Sequence, residues 1–198
     1  MTEDVQPHQH QQADSDHQQH EDERPHQLPD QQIIGATLHA ELLRRGLTLA
    51  TAESLTGGAL GDLVSAAPGA SETYLGGVVS YATSVKVGLL GVRQETVEEC
   101  GVVSAACARE MASGVRKLVG ADWSVSTTGV AGPAEQEGKP VGTVFVGIAG
   151  PDGAVAHELH LEGNRAEIRE RACTAAASTV LERVMDGSGD PDAVGGEE

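Results

Sequence analysis

Three polar residues that could take part in catalysis lie in two short segments of the sequence. Ser54 stands in TAESLTGGALG, between a predicted strand and a predicted helix, and Tyr81 and Lys86 stand in GGVVSYATSVK. A serine becomes a nucleophile when a base takes its proton, and a nearby cation favours the phenolate of a tyrosine. These residue types predict a nucleophile, a base and a cation that tunes the base. Taken singly, they also fit a helix-capping serine, a half-buried tyrosine and a surface lysine.

Small residues beside these segments could form a ligand pocket. Thr56, Gly57 and Gly58 precede the predicted helix, whose free N–H groups could bind a phosphate or an oxyanion. Thr128 and Gly129 end a later predicted strand in TTGVAGPAEQEGKPVGTVFVG, where small side chains leave room for a ligand. An ordinary long hairpin connection would explain that last segment equally well.

Helical and strand patterns alternate between residues 31 and 185. Apolar residues recur at helical spacing from Ile34 to Leu43 and from Ile168 to Val184, and Ser104 is a favourable cap for a helix reaching Val119. Strands are predicted over 47–52, 77–82, 124–128, 141–149 and 154–161, with a turn at 151–153. The early alternation followed by a hairpin predicts an α/β fold: a mixed sheet with helices on both faces.

Composition limits the possible classes of function. Most of the net charge of −17 lies at the two ends, because residues 1–30 carry eight acidic residues against one basic residue and residues 186–198 carry five against none. Both ends are predicted to be disordered tails, and five histidines in the first are predicted to be solvated. The acidity argues against a nucleic-acid partner. No apolar run is long enough for a membrane span or fits a signal peptide, so we expect a soluble, cytoplasmic protein.

Spacing excludes several alternative sites. Lys86 follows Tyr81 by five residues rather than the four of short-chain dehydrogenases, and no G-x-G-x-x-G loop is present. His157 and His160 lack the H-E-x-x-H spacing of a zinc site, and the three cysteines fit neither a zinc site nor a disulfide framework. We therefore expect no metal.

Eight blocks along residues 31–184 resemble one known family. They are TAESLTGG, PGAS, GGVVSYATSVK, LLGV, GVVS, TTGVAGP, KPVGTV and GNRAEIR. Together they resemble the C-terminal domain of the competence/damage-inducible protein CinA, a family that includes stand-alone nicotinamide-nucleotide amidohydrolases. The resemblance implies a three-layer α/β/α sandwich with a mixed, mostly parallel sheet. It also implies a homo-oligomer that acts on a small pyridine nucleotide without a cofactor.

The same resemblance assigns roles to individual residues. Ser54 would be the nucleophile, Tyr81 the base and Lys86 the partner of that base. The nucleotide pocket would be lined by Thr56, Gly57, Gly58, Thr128 and Gly129, and Arg165 or Arg169 would supply charge for the phosphate. The implied reaction converts nicotinamide mononucleotide and water to nicotinic acid mononucleotide and ammonia.

Two departures from the family pattern keep alternatives open. Ala82-Thr83 replaces a usual Ser-Asn beside Tyr81, and Ala134-Glu135-Gln136 replaces a usual glycine-rich turn. The second change adds bulk and charge beside the predicted pocket. A non-catalytic nucleotide-binding or regulatory module, or an amidase for another small amide, therefore remains an alternative.

Overall fold

Five strands form one mixed sheet between two layers of helices in the computed structural model, which describes residues 29–186. The elements are α1 (Pro29–Arg45), β1 (Leu49–Glu53), α2 (Ala59–Ser65), β2 (Tyr74–Val79), α3 (Thr83–Gly88), α4 (Gln94–Cys100), α5 (Ala105–Val119), β3 (Trp123–Gly129), β4 (Thr143–Gly150), β5 (Gly153–His160) and α6 (Arg165–Met185). The predicted helices and strands are all present, with shifts of a few residues at their ends.

The strand order in the sheet is β2-β1-β3-β4-β5. β1 pairs in parallel with β2 and β3, whereas β4 pairs antiparallel with both β3 and β5. Four strands therefore run in one direction and only β4 runs in the other, as the expectation of a mixed, mostly parallel sheet requires. Every residue of β1 is buried, because the strand lies between two neighbours and is covered on both faces.

The two faces of the sheet bury separate hydrophobic cores. One core joins α1, α2 and α6 to the sheet through residues such as Leu38, Leu60 and Ile168, and the other joins α5 to it through residues such as Met111. A Cβ added at Gly147 would lie 2.3 Å from the carbonyl oxygen of Ala108, so α5 packs directly against the backbone of β4. The three-layer α/β/α architecture is confirmed.

Side-chain caps begin the two long helices that flank the site. The Ser104 hydroxyl accepts a hydrogen bond from the backbone N–H of Cys107 at 3.1 Å, which confirms the predicted cap of α5. Asn164 and Glu167 form a capping box at the start of α6. These caps fix where each helix begins and hence where the residues of its first turn point.

The two predicted tails fall almost wholly outside the described residues, as do the five histidines of the first one. Helix α1 begins at Pro29, two residues before the predicted start of the domain. Asp186 is the C-terminal cap residue of α6. No helix within residues 29–186 is both long and apolar enough to cross a membrane.

Candidate active site

Ser54 lies at the edge of the sheet where three parallel strands end. It follows the last residue of β1, and its backbone N–H donates to the carbonyl of Thr127 in β3 at 2.9 Å. On the other side, the N–H of Ser80 donates to the carbonyl of Glu53 at 2.7 Å. The carboxyl ends of parallel strands are a common place for a ligand, because loops diverge there and leave a crevice.

Lys86 reaches this edge from α3. Its side chain is only 1% exposed, and its Nζ lies 3.0 Å from the Oγ of Ser54 and 2.6 Å from the carbonyl oxygen of Ser80. Helix α3 begins at Thr83, just past the end of β2, so one helical turn brings the lysine back over the strand ends. Removal from water disfavours the ammonium form and lowers the pKa of Lys86.

Tyr81 does not receive the contact that was expected from Lys86. Its side chain is 60% exposed, and its phenol oxygen accepts a hydrogen bond from Nη2 of Arg165 at 3.0 Å. The Lys86 amine approaches the backbone carbonyl of Tyr81, at 3.5 Å, and not the phenol. The strand also ends at Val79 rather than at residue 82, because its parallel partner β1 ends at Glu53. Tyr81 therefore lies on the connection into α3 and turns outward.

A cleft of about 200 Å³ opens beside Ser54 and Lys86. Thr128 and Gly129 line it, as the sequence predicts, and a Cβ at Gly129 would lie 2.5 Å from the carbonyl oxygen of Thr143. The remaining lining residues are Leu55, Tyr81, Thr83, Val102, Val103, Val130, Ala131, Gly132, Ala134, Gln136 and Arg165. Sites for drug-sized ligands usually measure about 300–1,000 Å³. The cleft thus suits the reacting end of a larger molecule, with the rest at its rim.

The start of α2 does not form the predicted anion site. The buried carboxylate of Glu53 accepts hydrogen bonds from the N–H groups of Gly58 (2.8 Å), Leu60 (3.1 Å) and Gly61 (2.8 Å). A negative side chain thereby satisfies the donors that a phosphate or oxyanion would need. An acidic residue just before a predicted helix start was the sequence signal for this arrangement.

Thr56, Gly57 and Gly58 are therefore not among the residues that line the cleft. Thr56 is fully buried, and its hydroxyl pairs with that of Thr127 at 2.8 Å. The prediction that these three residues line a nucleotide pocket is corrected: they shape the turn that presents Ser54. The backbone N–H of Leu55, next to the nucleophile, has no hydrogen-bond acceptor among residues 29–186.

The two candidate arginines of α6 separate into different roles. Arg165 lines the cleft, where it donates to the phenol oxygen of Tyr81 and to the carbonyl of Gly132. Arg169 donates to the carbonyls of Leu55 at 3.0 Å and Thr56 at 2.6 Å, and so holds the turn after Ser54 in place. Of the two arginines only Arg165 lines the cleft, and the suggestion that Arg169 binds a phosphate stays a prediction.

One part of the cleft wall was not predicted from the sequence. It consists of Val102 and Val103, which precede α5. Their contribution depends on which loops meet at the sheet edge, and no residue type marks it. Ala134 and Gln136, in the loop between β3 and β4, line the cleft, in agreement with the prediction that this loop lies beside the pocket. No cluster of three or more His, Cys, Asp or Glu side chains capable of holding a metal ion occurs within the described part of the chain.

Comparison with known proteins agrees with this architecture. The family model of the CinA C-terminal domain matches residues 31–184. A CinA-like protein of Frankia casuarinae is 49% identical over 139 residues, which cover 70% of this chain and 32% of that protein. A putative competence-damage inducible protein of Bacillus velezensis is 46% identical over 138 residues, 70% of this chain and 33% of that protein. The chain thus spans about a third of the length of these curated relatives.

Solved structures share the fold over most of the chain. A CinA superfamily protein from Klebsiella pneumoniae superposes with a TM-score of 0.77 at 30% identity, covering 79% of this chain and 98% of its own. A CinA superfamily protein from Escherichia coli gives a TM-score of 0.76 at 30% identity, covering 77% of this chain and 90% of its own. Both matches thus cover more than three quarters of this chain and at least nine tenths of the solved protein.

Proposed function

The chain belongs to the CinA C-terminal domain family, and we propose that it is a nicotinamide-nucleotide amidohydrolase. The reaction converts nicotinamide mononucleotide and water to nicotinic acid mononucleotide and ammonia. The observation that carries the proposal is the contact of 3.0 Å between the buried amine of Lys86 and the hydroxyl of Ser54, at the wall of an open cleft. A serine next to an amine of lowered pKa is an activated nucleophile.

Lys86 acts as the general base in this proposal. Its burial favours the neutral amine, which keeps one N–H for the carbonyl of Ser80 and turns its lone pair to the Ser54 hydroxyl. The serine proton moves to Nζ as Oγ attacks the carboxamide carbon of the substrate. The products of this step are a tetrahedral oxyanion and a lysine ammonium.

The oxyanion needs donors that the protein does not already use. The N–H of Leu55 adjoins the nucleophile and points to no acceptor within the described residues, which makes it the best-placed donor. In many serine hydrolases the N–H of the residue after the nucleophile has this task. The N–H groups at the start of α2 cannot take part, because Glu53 occupies them.

Breakdown of the intermediate returns the proton. The Lys86 ammonium gives its proton to the leaving nitrogen, the C–N bond breaks and ammonia departs, which leaves an ester on Ser54. Water then attacks this ester while Lys86 takes a proton from it, and return of that proton to Oγ releases the carboxylic acid. Each step uses the same two side chains and needs no other reactant than water.

Arg165 and Tyr81 lie where the rest of a nucleotide would extend. Arg165 is exposed at the rim of the cleft and is tied to Tyr81 and to the backbone of Gly132. A guanidinium can bind a phosphate through two parallel hydrogen bonds. We assign Arg165 to the phosphate and Tyr81 to holding the arginine, so the partner of the chain is a small pyridine nucleotide.

Ammonia release separates this proposal from its alternatives. Wild-type protein incubated with nicotinamide mononucleotide should release ammonia, and Ser54→Ala should reduce the rate by ~10²-fold or more while nucleotide binding, measured by calorimetry, persists. Ser113→Ala, a substitution at an exposed serine of α5, is the matched control and should behave as wild type.

Two other outcomes would each replace the proposal. Nucleotide binding without ammonia release in the wild type would indicate a non-catalytic binding or regulatory module. Release of ammonia from another small amide, and none from nicotinamide mononucleotide, would indicate an amidase of different specificity. Near-normal turnover in Ser54→Ala would refute the nucleophile.

A further inference from the structure

The loop between β3 and β4 is fastened to the start of α5 by one carboxylate. Oε1 of Glu137 accepts the backbone N–H of Val102 at 3.1 Å, and Oε2 accepts the N–H of Val103 at 2.9 Å. The residue itself is exposed, but its carboxylate spans two adjacent N–H groups of a separate segment. Hydrogen bonds to an ionised acceptor are stronger than neutral ones, so these two bonds hold the loop between β3 and β4 against the segment 102–103.

The backbone around this contact is adapted to it. Glu137 has a φ of 53°, the only positive φ of a residue other than glycine within the described chain. Left-handed backbone at such a residue persists when the surrounding contacts hold it in place. A Cβ added at Gly101 would lie 2.3 Å from Oε2 of Glu137, so the glycine leaves the space that the carboxylate fills.

The two segments joined by Glu137 are two walls of the same cleft. Val102 and Val103 line it from the α5 side, and Ala134 and Gln136 line it from the loop. Thr128, also in the lining, donates its hydroxyl to the carbonyl of Val102 at 2.7 Å and extends the connection to the end of β3. The Glu137 carboxylate is therefore one of the contacts that set the distance between the two walls.

We propose that Glu137 is a positioning residue that fixes the loop wall of the cleft against the α5 wall and so places the substrate for attack by Ser54. This inference rests on the function proposed above. Glu137 is 51 residues from Lys86 in the sequence and has no predicted role in catalysis. It acts through the backbone of Val102 and Val103 and touches no reacting atom.

Besides holding the loop, Glu137 also acts on Lys86 at a distance through its charge. The titratable or charged groups around Lys86 are Tyr81, Cys107 on α5, Glu137 in the loop and Arg165 across the cleft. Burial raises the pKa of Cys107 to about 11, so this thiol is neutral at neutral pH. The anion that counteracts the lowered pKa of Lys86 is then the Glu137 carboxylate. Removing it should lower the pKa of Lys86 further.

Glu137→Gln tests the proposal with Glu135→Gln as the matched control. The control removes the same charge from the same exposed loop, at a residue that does not line the cleft. In Glu137→Gln one N–H faces an amide NH2 instead of an acceptor, and KM for nicotinamide mononucleotide should rise by about 10-fold or more. The acid limb of the pH profile of kcat/KM should move to lower pH, because the pKa of the base Lys86 falls. A purely structural role of Glu137 would not cause this shift.

Hydrogen exchange gives a measurement that does not need turnover. The amides of Val102 and Val103 should exchange at least about 10-fold faster in Glu137→Gln than in wild type and in Glu135→Gln. If wild-type protein releases no ammonia, the proposed function fails, and this exchange still tests the attachment. If the Val102 and Val103 amides exchange in Glu137→Gln at the wild-type rate, the inference is wrong. It is also wrong if Glu137→Gln and Glu135→Gln have the same KM and the same acid limb in the pH profile of kcat/KM.

Discussion

The Nζ of Lys86 lies 3.0 Å from the Oγ of Ser54, although 32 residues separate the two in the chain. The sequence suggested instead that Lys86 would act on the phenol of Tyr81, which would then act on the serine. In the structure the phenol bonds to Arg165 and the amine bonds to the serine directly. The base in the proposed mechanism is therefore a buried amine. Three experiments follow from that change, and a fourth tests the arginines of α6.

Replacing the amine by a permanent cation should stop the chemistry. Lys86→Arg keeps a positive, hydrogen-bonding side chain, but a guanidinium does not lose its proton in proteins and cannot accept that of Ser54. We expect kcat to fall by ~10²- to 10⁴-fold with KM less affected. The assay is ammonia release by folded protein, and Lys117→Arg, at an exposed lysine of α5, is the control. A kcat near that of wild type would exclude Lys86 as the base.

The buried Lys86 should also lower the free energy of unfolding at neutral pH. Its pKa is lowered in the folded state but stands near the ordinary 10.5 in the unfolded chain. Between those two values the unfolded state holds more protons, so the free energy of unfolding should rise as pH rises through that window. Below that pH window the cost of burying the Lys86 ammonium is fully present. Lys86→Met should therefore be more stable than wild type by ~1 kcal/mol or more.

Urea unfolding at a series of pH values measures this effect. The advantage of Lys86→Met over wild type should shrink as pH approaches 10.5, while Lys117→Met should show no such trend. An advantage that is independent of pH would mean that the gain comes from packing and not from relief of a buried charge.

Tyr81→Phe distinguishes the two possible bases. The substitution keeps the ring and removes the oxygen that Arg165 contacts. With Lys86 as the base, kcat should change by less than ~10-fold, and KM should rise because Arg165 loses a partner. A fall of ~10²-fold or more in kcat at unchanged KM would instead restore the phenol as the base.

The matched control for this experiment is the other tyrosine of the chain. The Tyr74 hydroxyl pairs with that of Thr51 at 2.7 Å, away from the cleft. Tyr74→Phe should lower stability by about 1 kcal/mol and leave catalysis unchanged.

Arg165 and Arg169, one turn apart on α6, should respond differently to substitution: the first in KM and the second in stability. Arg165→Gln should raise KM for nicotinamide mononucleotide by ~10-fold or more and leave that for nicotinamide riboside, which lacks the phosphate, nearly unchanged. Arg169→Gln should lower the free energy of unfolding by about 1–3 kcal/mol, because the carbonyls of Leu55 and Thr56 lose their donor. An equal rise of KM for both substrates in Arg165→Gln would contradict a phosphate role.

Local patterns were sufficient to predict the elements of the fold. Ser104 caps α5 because a short hydroxyl side chain before an apolar helical repeat satisfies a free N–H wherever the helix lies. The turn at residues 151–153 joins β4 to β5 as predicted, since Gly153 adopts the positive φ of 116° that other residues rarely accept. Features of this kind depend on neighbours in sequence, so the sequence alone contains the necessary information.

Contacts between distant residues were beyond such patterns. The glycines after Ser54 suggested an open anion site, yet the carboxylate of Glu53 fills it. Arg165 and Arg169 looked equivalent, yet only Arg165 lines the cleft, whereas Arg169 donates to the carbonyls of the turn after Ser54. The attachment made by Glu137 joins two loops that meet only when the sheet is assembled.

The sequence by itself determined the layered α/β architecture, the family and the presence of Ser54, Tyr81, Lys86, Thr128 and Gly129 at one edge of the sheet. The tertiary structure decided which of them touch. A hydrogen bond requires two atoms within about 3 Å, and spacing along the chain places side chains only to within several ångströms. Spacing along the chain is therefore too coarse to tell whether Lys86 lowers the pKa of a tyrosine or takes the proton of Ser54 itself.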